Sequence, residues 1–115
     1  MTAASSRELA HPRSEDITLE EVLHALSDPL RLSVVTELAS TGGEFPCSHF
    51  PLPVTKSTTT HHFRVLRESG VIEQWYRGTA KYNRLRGAEL DALFPGLLDA
   101  ILRASAAQSA RRADG

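Results

Sequence analysis

Hydrogen-bond donors and cations are concentrated between residues 56 and 64, in the segment KSTTTHHFR, and no carboxylate follows until Glu68. Such side chains donate to phosphate oxygens and to the edges of base pairs. At helical spacing one face of this segment collects a single set of donors, which are Lys56 at the N-terminal end, Ser57, Thr60, His61 and Arg64. The pattern indicates a helix that contacts a nucleic acid, with cations on phosphates and shorter side chains near base edges.

A second group of donors lies in a predicted β-hairpin. Residues 71–76 and 80–85 are rich in β-branched and aromatic residues, and the turn Arg77-Gly78-Thr79 separates them. We predict two strands with basic residues at the tip, beside the backbone or minor groove of DNA. The donors that this hairpin would present are Arg77, Thr79, Lys81 and Arg84. Trp75 and Tyr76 are expected to pack the hairpin against the domain, with base stacking as the alternative.

The formal net charge of the chain is −1, but the charges are unevenly distributed. Residues 1–55 hold three arginines and eight acids, which is a net charge of −5. Residues 56–86 hold seven lysines and arginines against two acids, or +5, and residues 87–115 hold three arginines and four acids, or −1. A basic block in a near-neutral chain is typical of a local DNA contact. A solvated basic surface without a partner would show the same count.

The helices that must position these donors have recognisable ends. Thr18, Asp28 and Thr55 each precede a helical pattern and are predicted N-caps, while Gly42 and Gly70 follow such patterns and are predicted C-terminal ends. The proline-rich stretch 44–55 leaves room only for a helical turn around residues 47–50. A short helical segment over 87–93 and a final amphipathic helix from residue 97 follow. The expected fold is mainly α with a small β-hairpin.

Domain organisation and several functional classes are bounded by the composition. We predict one domain over residues 17–104, with flexible tails over 1–16 and 105–115. No apolar run approaches the ~20 residues that cross a bilayer, and the first sixteen residues lack the apolar core of a secretory signal. The single cysteine, Cys47, excludes an internal disulfide and favours a reducing cytoplasm. No glycine-rich phosphate loop or nucleophile–base pair is present, so we expect no enzyme and no cofactor.

Two stretches together resemble the arsenic-repressor (ArsR/SmtB) family of winged helix-turn-helix repressors. The first is HALSDPLRLSVVTELA, and the second is KSTTTHHFRVLRESGVIEQWYRGTAKYNRL. The first is similar to the family's motif of Leu, Ser or Ala, Asp, Pro and a nearby Arg before an apolar helix, and the second to its recognition helix and wing. The resemblance spans about residues 19–102, and the order and separation of the two motifs make it specific.

The resemblance implies a winged helix-turn-helix that represses a promoter by binding an inverted repeat in double-stranded DNA as a homodimer. Thr55 would cap the recognition helix and Arg64 would contact the DNA backbone. The positions that would face the major groove are Lys56, Ser57, Thr58, Thr60 and His61. The first and last helices would form the dimer interface, with the residues Leu19, Val22, Leu23, Leu97, Leu98, Ile101 and Leu102. His62, by the same comparison, would pack inward.

Metal sensing is not supported, because the chain departs from the family's ligand sets. Where the arsenic and cadmium sensors carry Cys-x-Cys, this chain has Cys47-Ser48-His49, and its last helix holds no His. We therefore expect no metal. Cys47 is expected to be a small packed hydrophobe, with a thiol-based redox sensor and a weak metal site that includes His49 as alternatives. The remaining alternative is a winged helix that binds a protein instead of DNA, for which an apolar exposed face would be expected.

Overall fold

The computed structural model describes residues 8–114, and these form five helices and a three-stranded antiparallel sheet. The predicted class, mainly α with a small sheet, is confirmed. The elements in chain order are α1 (Leu19–Leu26), α2 (Pro29–Thr41), β1 (Phe45–Pro46), α3 (Lys56–Glu68), β2 (Ile72–Arg77), β3 (Ala80–Leu85), α4 (Gly87–Leu93) and α5 (Leu97–Asp114). Short 3-10 turns occur at Ser14–Asp16 and Cys47–His49. Within the described part of the chain, no helix combines the length and apolarity needed to cross a bilayer.

Side-chain caps begin the first three helices, as the sequence predicts. Thr18 Oγ1 accepts the backbone N–H of the residue three positions later, at 3.2 Å. The Asp28 carboxylate accepts two backbone N–H groups at the start of α2, at 2.8 and 3.1 Å. Thr55 Oγ1 accepts the N–H of Thr58 at 3.2 Å. Each cap satisfies a helical N–H that would otherwise need water, which is worth about 1 kcal/mol.

Gly70 ends α3 by a Schellman motif, in which the chain reverses through a left-handed residue. Its N–H donates to the Arg67 carbonyl at 3.1 Å, the N–H of Val71 donates to that of Leu66 at 3.0 Å, and Gly70 has φ +87°. A Cβ at this position would lie 2.5 Å from Cδ1 of Ile17. Both the backbone conformation and the close packing therefore require glycine where α3 turns into the sheet.

A single hydrophobic core joins the helices to the sheet. α1, α2, α3, β2 and α4 all contribute buried side chains, and Phe50 adds one from the loop between β1 and α3. The members with no measurable exposure are Ala25, Val35, Leu38, Leu66, Val71 and Ile72. Because both α3 and β2 supply residues to this core, the donor-rich helix and the hairpin are packed on one common base.

The hairpin is confirmed, but the sheet has one strand more than predicted. β2 and β3 pair antiparallel, with Trp75 opposite Tyr82, and β2 lies one residue later at both ends than expected. The short β1 pairs with β3 on the other side, with Phe45 opposite Asn83. The prolines of residues 44–55 had instead predicted a loop with a single helical turn. Pro46 is tolerated because β1 is an edge strand, where a missing N–H costs no ladder bond.

The segments assigned to tails have regular structure where the structure describes them. Residues 8–16 include a 3-10 turn and hydrogen-bond to the sheet and to α4, as detailed below. α5 continues through Asp114, beyond the expected limit at residue 104. Residues 1–7 and 115 of the two tails lie outside the described residues. The domain limits themselves stay a prediction.

Candidate nucleic-acid interface

The exposed face of α3 collects the donors singled out in the sequence. Lys56, Ser57, Thr60, His61 and Arg64 are exposed together on this helix. Thr58, held near the Thr55 cap, is half-buried. The other side of the helix is buried through His62, Phe63 and Leu66. Among residues 8–114, no carboxylate oxygen comes within ion-pair distance of Lys56 or Arg64, so both cations face solvent.

Arg31 fastens α3 to the two helices beneath it. Its guanidinium is buried, with Nε donating to the Ala25 carbonyl at 2.7 Å and Nη2 to the His24 carbonyl at 3.2 Å. Nη1 lies 3.1 Å from Nδ1 of His62. Because arginine only donates, this nitrogen is the acceptor. One side chain thus links the end of α1, the start of α2 and α3.

The inward position of His62 agrees with the sequence prediction, whereas the role of Arg31 was missed. The available signal was the arginine three residues after the Asp28 cap, inside the motif that carries the family resemblance. The same turn holds Asp28, whose burial raises its pKa. The N–H groups of Arg31 and Leu30 more than offset this and leave the pKa below its ordinary value. The cap is therefore ionised at neutral pH.

The outer face of the hairpin carries cations that are paired with carboxylates. Arg77 Nη2 lies 3.0 Å from Glu44 Oε1, and its guanidinium lies 4.2 Å from the ring centre of Tyr82. Arg84 pairs with Glu73 and lies 3.9 Å from the second oxygen of Glu44. All four charged side chains are between 40% and 55% exposed, so these pairs are weak and can exchange for another anion.

The tip and inner face of the hairpin hold the remaining candidates. Gly78 forms the turn with φ +65°, and Thr79 beside it is exposed. Lys81 is half-buried, with its Nζ 5.9 Å from the ring centre of Tyr76. On the outer face Trp75 stacks on Tyr82 with 6.3 Å between ring centres. Trp75 thus packs on Tyr82 within the wing instead of against the domain core, which differs from the packing expected and leaves the base-stacking alternative untested.

Two cations of the basic block, residues 56–86, make contacts within the fold and contribute little positive charge to the surface. Arg67 donates to Gln74 Oε1 at 2.7 Å between α3 and β2. The Arg86 side chain is only 9% exposed and pairs with Glu89 at 2.7 Å. The charge count of residues 56–86 therefore overstates the positive surface. Composition alone cannot reveal this, because it does not record which cations turn inward.

Cys47 and His49 lie in one 3-10 turn but have separate surroundings. Cys47 Sγ is half-buried, 3.3 Å from Nδ2 of Asn83 and 3.8 Å from Nε2 of Gln74. His49 stacks on Phe45, and its Nε2 lies 3.3 Å from a carboxylate oxygen of Glu37 on α2. Across residues 8–114, no three His, Cys, Asp or Glu side chains form a group that could hold a metal ion.

The predicted dimer interface divides into exposed and buried members. Leu19 and Leu23 on α1 are 41% and 44% exposed. The four members on α5 are half-buried and lie against the core, namely Leu97, Leu98, Ile101 and Leu102. Val22 is a correction to the predicted set. It is 2% exposed within the chain and has no surface left for a partner, because the helical period turns it toward the core.

A donor-rich helix set on two supporting helices and followed by an antiparallel hairpin defines a winged helix-turn-helix transcriptional regulator. The chain is 30% identical over 91 residues to an uncharacterized HTH-type transcriptional regulator, YceK, of Bacillus subtilis strain 168. The match covers 77% of this chain and 91% of that protein. No protein-family model matches the sequence.

Solved structures are similar over most of their length. An ArsR-like transcriptional regulator from Rhodococcus sp. RHA1 superposes with a TM-score of 0.55 at 28% identity, over 84% of this chain and 87% of that one. The transcriptional repressor BigR from Xylella fastidiosa superposes with a TM-score of 0.53 at 28% identity, over 66% and 85%. The chain belongs to the ArsR family of transcriptional regulators, which is a non-enzymatic class.

Proposed function

We propose that this regulator is a repressor that binds an inverted-repeat operator as a homodimer, with α3 in the major groove and the hairpin beside the phosphates. The observation that carries the proposal is the exposed face of α3. It presents five donors, has no carboxylate before Glu68 at its C-terminal end, and is fixed from below by Arg31. A major groove admits one helix, and the first turns of a recognition helix reach the bases.

The donors divide by chemistry into phosphate and base contacts. Three cations would hold phosphates, namely Lys56 at the start of α3, Arg64 further along the same helix, and Lys81 of the wing. The positive N-terminal end of α3 would add to this attraction. Ser57, Thr60 and His61 would lie nearest the base edges, with Thr58 and Thr79 as further donors. Arg77 and Arg84 would join after exchanging Glu44 and Glu73 for phosphate oxygens.

Fluorescence anisotropy on the region upstream of the protein's own coding sequence tests this assignment. Each lost phosphate contact should lower the slope of log affinity against log salt by about 0.9. We expect this change for Lys56→Ala and for Arg64→Ala. Arg103→Ala is the matched control, because that arginine is on α5, 81% exposed and paired with Asp99. Unchanged slopes for both variants of α3 would contradict the proposal and favour a protein partner.

Sequence preference separates base readout from phosphate binding. Thr60→Ala and His61→Ala should change which operator variants bind best, by about 1–3 kcal/mol at the affected base pair. Ser48→Ala serves as the control, since Ser48 is an exposed hydroxyl in the Cys47–His49 turn and is not part of α3. A uniform loss over all operator variants would place both residues on phosphates.

Dimerisation through α1 and α5 is supported by apolar exposure. Leu19 and Leu23 expose an apolar row on α1 that a partner would cover. Two recognition helices related by a two-fold axis would then lie roughly 34 Å apart, as one turn of DNA requires. Leu23→Glu should shift the mass measured by light scattering from dimer to monomer. The control Val54→Glu changes another exposed apolar residue, 38% exposed before α3, and should leave the dimer intact.

A further inference from the structure

Residues 8–16 form what we call the N-terminal strap, which lies along the outer edge of the wing. β2 is an edge strand, so some of its backbone N–H groups point away from β3. His11 Nε2 accepts one of them, from Gln74, at 2.9 Å. The next residue, Pro12, offers its carbonyl to Arg86 Nη1 at 3.1 Å. Two consecutive strap residues thus bond to β2 and to the residue that follows β3, both in the half of the hairpin nearer its base.

The far end of the strap is held where the sheet meets α4. Ser14 Oγ donates to Glu89 Oε2 at 2.6 Å, and Arg86 donates to both oxygens of the same carboxylate at 2.9 and 2.7 Å. The Arg86 and Ser14 hydrogen bonds lower the pKa of Glu89 to about 2. Ile17, directly after the strap, is buried against Gly70. This end is therefore anchored by a hydrogen bond to an ion-paired carboxylate and by apolar contacts, both of which are independent of His11.

His11 is the titratable contact of the strap. Its Nε2 accepts a backbone N–H, so this bond exists only while that nitrogen is unprotonated. Burial lowers the pKa of His11 below 6.5, and it outweighs the opposing effects of a backbone hydrogen bond to Leu9 and of the Glu73 charge. The charges of Arg86 and Arg67 lower the pKa further.

The surroundings of His11 define the direction of the pH effect. Glu8 and Glu73, together with Leu9, Trp75 and Tyr76, line the cleft between the strap and β2. Because the docked strap favours neutral His11, docking is complete above pH 6.5 and is weakened as the pH falls below that value. The protonated ring would turn a second N–H toward the N–H of Gln74, which replaces an attraction by a repulsion.

We propose that the strap is a positioning element of the wing, and that protonation of His11 breaks the hydrogen bond between the strap and β2. β2 leads directly into the hairpin tip at Arg77, so the strap restrains the segment that would approach the phosphates. The part of this inference that concerns DNA affinity rests on the proposed function. The docking and its pH dependence are properties of the free protein and are tested without DNA.

Amide hydrogen exchange at Gln74 reports the bond directly. Between pH 7.5 and pH 5.5, the protection factor of this amide in the wild type should fall by about three- to tenfold, the equivalent of one hydrogen bond. His11→Gln keeps a neutral acceptor and should hold the protection at both pH values. His11→Ala removes the acceptor and should show low protection at both. His24→Gln, which changes an exposed imidazole on α1, should behave as the wild type.

Trp75 provides a second readout, because it is the single tryptophan of the chain and lines the same cleft. Its emission should shift with pH in the wild type and in His24→Gln, but not in His11→Gln. Equal Gln74 protection in all four proteins at both pH values, or a pH dependence that persists in His11→Gln, would overturn the inference. Either outcome would leave the DNA-binding proposal untouched.

The positioning role is tested by comparing variants with one another at the same pH, which cancels pH effects that the variants share. At pH 7.5 the wild type and His11→Gln should bind the operator equally. At pH 5.5 the wild type should bind about threefold more weakly than His11→Gln, and His11→Ala should be the weaker binder at both pH values. Equal affinities throughout, with Gln74 protection changing as expected, would show that the strap docks without positioning the wing.

Discussion

The exposed face of α3 and the outer face of the wing carry similar cations in different electrostatic states. Lys56 and Arg64 on α3 have no carboxylate within ion-pair distance among residues 8–114, and the helix beneath them is fastened by a buried guanidinium. Arg77 and Arg84 on the wing are held by Glu44 and Glu73. The cations of α3 can bind an anion directly, whereas those of the wing must first separate from their carboxylate partners.

The number of cations on a surface and the number that are available to bind an anion are therefore separate properties. A wing cation that leaves a carboxylate for a phosphate gains only the difference between two weak pairings, since exposed ion pairs contribute about 0–1 kcal/mol. An α3 cation loses only its water on binding a phosphate, and its binding also releases counterions from the DNA. α3 should therefore dominate affinity, and the wing should tune it. The following expectations test the two regions in order of decreasing effect.

The largest effect is expected from removing the support beneath α3. Arg31→Ala deletes a buried side chain with three hydrogen-bond contacts, so we expect a loss of about 3 kcal/mol in the free energy of unfolding. Urea unfolding followed by circular dichroism measures it. Arg103→Ala removes an exposed arginine and should change the value by less than about 0.5 kcal/mol. Similar small losses for both variants would refute the view that α3 is fastened through Arg31.

A matched pair of glycines compares the end of α3 with the tip of the wing. Gly70→Ala would place an alanine in a left-handed backbone conformation and its Cβ 2.5 Å from Ile17. It should lower the free energy of unfolding by about 3 kcal/mol. Gly78→Ala has a similar φ of +65° but no atom within 4 Å of the added Cβ, and should cost only about 1 kcal/mol. Thermal unfolding of both variants gives the comparison. Equal costs would mean that packing against Ile17 adds nothing at Gly70.

The base of the wing should show an acid-dependent loss of stability. The pKa of Glu89 is about 2 in the folded chain against an ordinary value of 4.5, so its pairing with Arg86 stabilises the fold above pH 4.5. That stabilisation is lost as the pH falls from 4.5 toward 2. The carboxylate is 44% exposed, so solvent screening reduces the expected contribution to about 1 kcal/mol.

Glu89→Gln isolates this contribution. The wild type should be more stable than the variant in urea unfolding at pH 6, and the difference should shrink by pH 3. Asp99→Gln is the control, because its partner Arg103 is 81% exposed and the pair adds little. A difference between wild type and Glu89→Gln that is independent of pH would assign the effect to lost packing.

The smallest and most specific effect is expected on the wing. Glu44→Gln removes the carboxylate shared by Arg77 and Arg84, and should increase operator affinity by about threefold because both cations become easier to transfer to phosphate. The matched control Glu37→Gln changes a carboxylate on α2 that contacts His49. Binding by both variants is compared by anisotropy at two salt concentrations. Equal affinity for Glu44→Gln and the wild type would show that the wing cations stay paired in the complex.

Features that depend on neighbouring residues were predictable. The three N-caps, the glycine at the end of α3 and the turn of the hairpin were all expected, because caps and tight turns require particular side chains or φ values within a few residues. The inward turn of His62 and the outward donors of α3 follow from the helical period in the same way. The family motifs then supplied the arrangement that these elements adopt.

Features that depend on distant partners were missed. β1 pairs with β3 across 38 and 36 residues of chain, Arg31 meets His62 across 31, and His11 meets Gln74 across 63. Arg67 and Arg86 were counted as surface charge but turn inward, and Val22 was assigned to an interface but belongs to the core. The pairing of β1, the contact of His11 and the inward turn of Arg67 and Arg86 leave no periodic or local signal in the sequence, whereas Arg31 and Val22 had one that was not used.

The sequence by itself therefore determined the order of the helices and of the hairpin, the N-caps of α1, α2 and α3, and which face of α3 bears the donors. Only the tertiary structure decided which cations remain available, what fastens α3 from below, and that residues 8–16 lie along the wing. The physical reason is that capping and helical periodicity act within a turn or two of chain. The pairing of a charge, by contrast, depends on which carboxylate or carbonyl the fold brings within about 4 Å.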